Sequence, residues 1–372
     1  MKYTLFMPLV ATFAVLASCG RDTAPDGPVV FDVGSTVGMD PFSDIDFNRF
    51  FDVVGTVPVQ TTDSTLVSYM NIVGDTGEQI IMETGGKIMV INEHDGSVAA
   101  IVGRKGNGPG EYNILADAYY DSIDNLIYVY DVARKKMIPY GLSGKFFDSP
   151  SMDAGGMVRS LPDGSRFVCV MGTRPSGYKY SIFDRDWNVT RQCDIHVDTT
   201  FAMVTFKDCP VISDRGECYL MPFRNDTLYH VTADADIPFA VFDKGNYRIP
   251  SDGYTYNALK SNMETKIWDA GGSICMISDY LFYCFSYSGR QYAQVWDAGT
   301  GRLVFCDMVS AKDGTPGFTL NICGSDFKLW PHFVSGDDVW CTLGYSDAVK
   351  LVPDLQEDDN PVLLHLRHSG RP

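Results

Sequence analysis

Residues 103–112 read GRKGNGPGEY, with four glycines and a proline beside Arg104, Lys105 and Glu111. Backbone N–H groups in such a loop, helped by a lysine or arginine, can cradle a phosphate when the loop follows a strand and opens a helix. Here no GK[ST] is present, the glycine spacing is GxGxG with Pro109 inside it, and the residues beyond Tyr112 are strand-like. A corner between two strands fits better, with glycines supplying positive φ and close backbone approach. Arg104, Lys105 and Glu111 are the polar groups a turn does not need. They are therefore the candidate binding residues, although an Arg–Glu pair bracing the loop is the first use to expect of them.

Other chemistries find less support. His94, His196, His230, His332, His365 and His368 are scattered, with no HExxH, and the last two fall in the final strand or tail. There is no GxSxG. Two acidic runs imitate calcium loops, but the one from Asp184 has Val189 and Ile195 at the glycine and glutamate positions, and the one from Asp44 has Arg49. No metal or cofactor is expected, and no catalytic residue can be named. Nine cysteines follow Cys19, none in CxxC spacing, and most sit in apolar runs such as RFVCVM and DVWCTL, where they read as free buried thiols.

The elements that would position these groups are strands. Apolar period-two runs, each followed by a turn and a second strand, begin at Gly86, Asn125, Gly164, Gly216, Tyr280 and Asp337. Spacing of about 40 to 60 residues is that of propeller blades. The fold expected is all-β: a six-bladed β-propeller of four-stranded antiparallel blades over 49–372. A helical insertion is expected at Tyr256–Trp268. Ring closure needs both chain ends in one blade, and RFFDVVGTVPV (Arg49–Val59) and PVLLHLR (Pro361–Arg367) are the candidates.

Residues 1–18 read as a signal peptide, and LASC places Cys19 where a bacterial lipobox is acylated. Residues 19–48, rich in Pro, Gly, Asp and Ser, read as a lipid-anchored tether and lead-in. Gly20 after the cysteine favours the outer membrane, facing either periplasm or exterior. The net charge of −17 repels nucleic acid.

IVGRKGNGPGEY resembles the hallmark of six-bladed, NHL-type and TolB-like propeller lipoproteins of gut-type Gram-negative bacteria. FRNDTLYHVTADADIPFAVFDKGNYRIP (Phe223–Pro250), the lipobox and DDNPVLL (Asp358–Leu364) support the resemblance. It implies a fold and a cell-envelope address, with no catalytic residues to carry over. The function expected is binding of a protein, peptide or glycan at the channel mouth. The alternative is a hydrolase or lyase with its site in the central channel.

Overall fold

The computed structural model describes residues 27–148, 157–170, 178–195, 211–214, 216–222, 225–250, 253, 256–269 and 274–370. The expected signal peptide and Cys19 lie outside them. Six small antiparallel sheets form a ring, a six-bladed β-propeller.

Blade 1 shows how the sequence builds a blade. Its strands are Asn71–Asp75, Gln79–Thr84, Lys87–Asn92 and Val98–Val102, from the channel outward. Successive side chains point to opposite faces. Thus Ile81, Ile88 and Val90 pack on blade 2 with Tyr112, Tyr120 and Val129. Their neighbours Ile80, Met82, Met89 and Ile91 pack on blade 6 with Trp340 and Leu363. Both faces are buried, so the middle strands read as continuous apolar runs. The other blades have innermost strands Leu115–Asp121, Met157–Ser160, Val211–Asp214, Ile274–Ile277 and Phe333–Ser335. Most of the sequence-visible runs are therefore second strands, and the one from Gly86 is a third.

The ring closes as the pattern at the chain ends suggests. Strand Phe51–Pro58 pairs antiparallel with Val362–His368 and completes blade 6. The lead-in also joins the ring: Val29–Phe31 lies parallel to the outer strand of blade 4, and Phe42–Ser43 pairs with that of blade 5. The expected helix is Tyr256–Thr265, between blades 4 and 5. A hairpin of Phe318–Ile322 and Ser325–Leu329 is inserted between blades 5 and 6.

Strand alternation makes the two faces unequal. Each innermost strand starts where the chain arrives from the previous blade, so those crossings share one face with the links between second and third strands. This long-connection face carries helices Tyr256–Thr265 and Tyr345–Ala348, whereas the inserted hairpin is buried between blades 5 and 6 against helix Phe47–Phe50, which precedes the closing strand at the opposite face. On the opposite, short-turn face, the links within each blade are only two to five residues long. Among the described residues no helix is long and apolar enough to cross a membrane.

Candidate functional site

The GRKGNGPGEY loop runs from the outer strand of blade 1 to the inner strand of blade 2 on the long-connection face. It holds an anion, and the anion is its own Glu111. One Glu111 oxygen accepts the Gly108 N–H at 2.7 Å and the other accepts Arg104 Nε at 2.5 Å. The Gly108 N–H, and after it Arg104, hold the Glu111 carboxyl below the usual glutamate range. A Cβ on Gly106 would lie 2.1 Å from the Glu111 carboxylate, so the carboxylate folds back over bare backbone. Gly110 has φ +68° and a Cβ there would meet the Phe146 ring at 2.7 Å. Lys105 bridges to Tyr112 through its backbone. Tyr112 is buried and donates to the Gly86 carbonyl at 3.0 Å, while Tyr140 donates to that of Gly110 at 2.9 Å. The structure thus brings Arg104 and Glu111 together as a brace and leaves the Arg104 side chain largely exposed.

The other two marker motifs are ties on the same face. Lys244, in the Phe223–Pro250 segment, is 7 % exposed and reaches Asp226 at 2.8 Å and Asp269 at 2.7 Å. Asp269 also accepts from Tyr283 at 2.7 Å and Asp226 pairs with Arg248 at 2.7 Å. Burial opposes the Lys244 charge, but the two carboxylates outweigh it and raise its pKa. Together these contacts pin the helical insertion to blades 4 and 5. Asn360, in DDNPVLL, donates to the carbonyls of Gln60 and Thr65 and accepts from the Val67 N–H, all at 2.8–2.9 Å. It locks the crossing from blade 6 to blade 1.

Beside the channel, Asp117 and Arg159 from the inner strands of blades 2 and 3 approach to 3.3 Å, with Arg159 over the Tyr119 ring. Burial raises the Asp117 pKa against the pull of Arg159.

Among the described residues, clefts open on two seams of the short-turn face. One, of about 570 Å³ between blades 3 and 4, is lined by Asp163, Asp184, Arg185, Arg191 and Asp234. The other, of about 700 Å³ between blades 6 and 1, is lined by Glu78, Gln79, Asn92, Glu93, Asp95 and His365. His365, scattered in the sequence, sits stacked on Trp340 at 4.1 Å between carboxylates of two blades. A histidine inside the apolar run VLLHL was the available signal, but it reads equally as a tail residue. Among the described residues no group of three or more His, Cys, Asp or Glu converges on a metal position. Cys218, Cys284, Cys306, Cys323 and Cys341 are free thiols.

The DUF4934 profile, described as a domain of unknown function, matches residues 28–367. The chain belongs to the DUF4934 family. Among curated proteins no sequence matches it. This DUF4934 propeller is similar to a Bacteroides fragilis protein described as exported, at 15 % identity over 92 % of this chain and 100 % of that one, with a TM-score of 0.66. It is also similar to a DUF4221 member from Bacteroides vulgatus, at 10 % identity over 87 % and 100 % of the two chains, with a TM-score of 0.50. At such identities the shared property is the fold.

Proposed function

We propose that this DUF4934 chain is a lipid-anchored cell-envelope propeller that binds a protein, peptide or glycan at the channel mouth of its long-connection face. The observation that carries this reading is the inequality of the two faces. Helices Tyr256–Thr265 and Tyr345–Ala348 lengthen connections on the side where the blade crossings run, while helix Phe47–Phe50, ahead of the closing strand, is the one described helix of the ring on the other. The chain also enters the ring on the other side, because Val29–Phe31 runs parallel to the outer strand of blade 4. Nine residues lie between Cys19 and Val29, and the ten chain steps span at most roughly 35 Å. Acylation at Cys19 would therefore hold the short-turn face toward the outer membrane and present the elaborated face outward. Arg104 and Lys105 stand on that presented face and are the basic groups offered there by the first crossing.

The experiment is crosslinking in intact cells followed by membrane pull-down, with three variants. Cys19→Ala should release the protein from the membrane fraction. Replacing helix Tyr256–Thr265 by a short turn should abolish capture of the partner while membrane attachment persists. Capture that survives both loss of helix Tyr256–Thr265 and replacement of the exposed Tyr345 by alanine would overturn the assignment of the binding face. The hydrolase or lyase reading would use the raised-pKa Asp117 carboxyl beside the channel. A hydrolytic or eliminative activity lost in Asp117→Asn would favour it instead.

A further inference from the structure

We propose that the corner between blades 1 and 2, with Arg104, Lys105, Lys135 and Lys136 at its surface, is a docking site for an acidic polysaccharide. The proposal rests on the reading of the long-connection face as the binding face, and names the chemistry of the partner. Two segments build the corner. The GRKGNGPGEY loop brings Arg104 and Lys105. The turn from strand Leu126–Asp131 to strand Lys136–Tyr140 of blade 2 brings Arg134, Lys135 and Lys136. The segments are fastened together: Arg134 donates to the Glu111 carbonyl, and the Val132 N–H donates to the Ile114 carbonyl at 3.1 Å. Lys136 stands on the same side of its strand as Ile138 and Tyr140, which pack toward blade 1, so it faces the loop.

This corner holds more positive charge than its own structure uses, in a chain whose net charge is −17. Its carboxylates are consumed. Glu111 is held by Gly108 and Arg104, and the buried Asp131 by the N–H groups of Asn113, Ile114 and Ala133 and by Arg134. Glu83, close to Tyr112, is buried and accepts from Tyr69. Among the described residues Lys105, Lys135 and Lys136 have no acidic partner, and Arg104 engages Glu111 through Nε alone. A second observation is independent of charge. Lys135 has φ +53°, at the last position before a third strand, where blades 1 and 5 place Gly86 at +75° and Gly289 at +71°. Folding would be served better by glycine there. Charges beyond about 8 Å are screened at physiological ionic strength, so acids elsewhere on the ring do not cancel the patch. The loop's backbone donors are already spent, with Gly106 bonded to Tyr112, Gly108 to Glu111, and Tyr112 to Arg104. A peptide therefore finds no main chain here to pair with. Tyr112 and Tyr140 are buried and offer no platform on which nucleic-acid bases could stack. What remains is a spread of side-chain charges beside Ile114, which is 55 % exposed. Charges repeated on stiff sugar rings match that spread with little ordering cost, and the C–H faces of the rings can pack on Ile114.

The test is calorimetric titration of the full chain with polygalacturonate, dextran sulfate, neutral dextran, polyglutamate and oligothymidylate. The two acidic polysaccharides should bind and neutral dextran should not. Log Kd should rise with log salt at a slope of about three, as for about four cations releasing counterions. Lys135→Gly should weaken binding by about threefold while melting no lower than wild type, because glycine suits the positive φ. The triple change of Lys105, Lys135 and Lys136 to Gln should weaken binding by about thirtyfold. Lys312→Gln, an exposed lysine beyond blade 5, should change nothing. The proposal is overturned if neither acidic polysaccharide binds, if Lys312→Gln weakens binding as much as Lys135→Gly, or if polyglutamate or oligothymidylate binds more tightly. Capture in cells that needs helix Tyr256–Thr265 yet survives the triple change would sink this proposal alone. Polysaccharide binding through the lysines, with capture indifferent to that helix, would instead sink the channel-mouth reading.

Discussion

On the long-connection face, blades are joined largely by side chains that bond to backbone: Asn360 across blades 6 and 1, Tyr112 and Tyr140 around the blade 1–2 crossing. On the short-turn face the seams are closed by charge. Arg166, fully buried, holds Asp121 at 2.9 Å and Asp124 between blades 2 and 3. Arg191 holds Asp236 at 3.0 Å between blades 3 and 4, and His365 lies between Glu93 and Asp338 at the closing seam. Charged ties occur on the first face too, in Lys244 and in the buried Asp131, which pairs with Arg134 and accepts the Asn113 N–H at 2.9 Å. Neutral ties can fix loops in place without imposing a field on whatever those loops meet. Ionic seams are tolerable where the turns are short and little has to be presented.

The contrast can be broken in graded steps. Arg166→Met leaves Asp121 buried without its partner and should cost about 3–5 kcal/mol by urea denaturation, with much of the loss restored when Asp121→Leu is added. A loss under 1 kcal/mol would mean that charge does not close this seam. Asn360→Ala strands two carbonyls and an N–H and should cost about 2–3 kcal/mol, nearly independent of salt. Gly110→Val forces a β-branched residue to positive φ against Phe146 and should cost about 2 kcal/mol, more than Gly108→Val, where the neighbouring contact is 3.0 Å to a flexible carboxylate. Unchanged melting with lost ligand capture in Gly110→Val would instead make the loop a contact surface. The smallest effect is that of Glu111→Gln. Because the folded Glu111 pKa is depressed, its stabilisation is present above the ordinary value of 4.5 and is lost as pH falls through the folded pKa. Wild type and variant should therefore differ at pH 7 and converge in acid.

What could be read in the sequence followed burial. Second and third strands, buried on both faces, give apolar runs long enough to see; GKIMVIN and YLFYCFSY are examples. Innermost strands such as Phe333–Ser335 are short and half-buried along the channel, so they carry little pattern. The hairpin at 318–329 was missed because FTLNICGSDFKL looks like a link within a repeat of known spacing. GRKGNGPGEY was legible as a corner because its glycines must do something local. That its glutamate serves as the loop's own anion was not legible, since the fold-back depends on Gly106 lying beneath the carboxylate. The cleft at His365 was hidden for a different reason. Residues 78, 93 and 365 meet only once the ring has closed.

That closure has a temporal consequence. Strand Phe51–Pro58 is among the first parts of the ring to be synthesised, and its partner Val362–His368 is nearly the last. Val29–Phe31 and Phe42–Ser43 likewise wait for blades 4 and 5. An emerging chain therefore carries unpaired strand edges through almost the whole of its translation, and pairings at such sequence separation form slowly. The first blades can pair locally as they emerge, but the polypeptide becomes a closed ring only when its last thirty residues arrive.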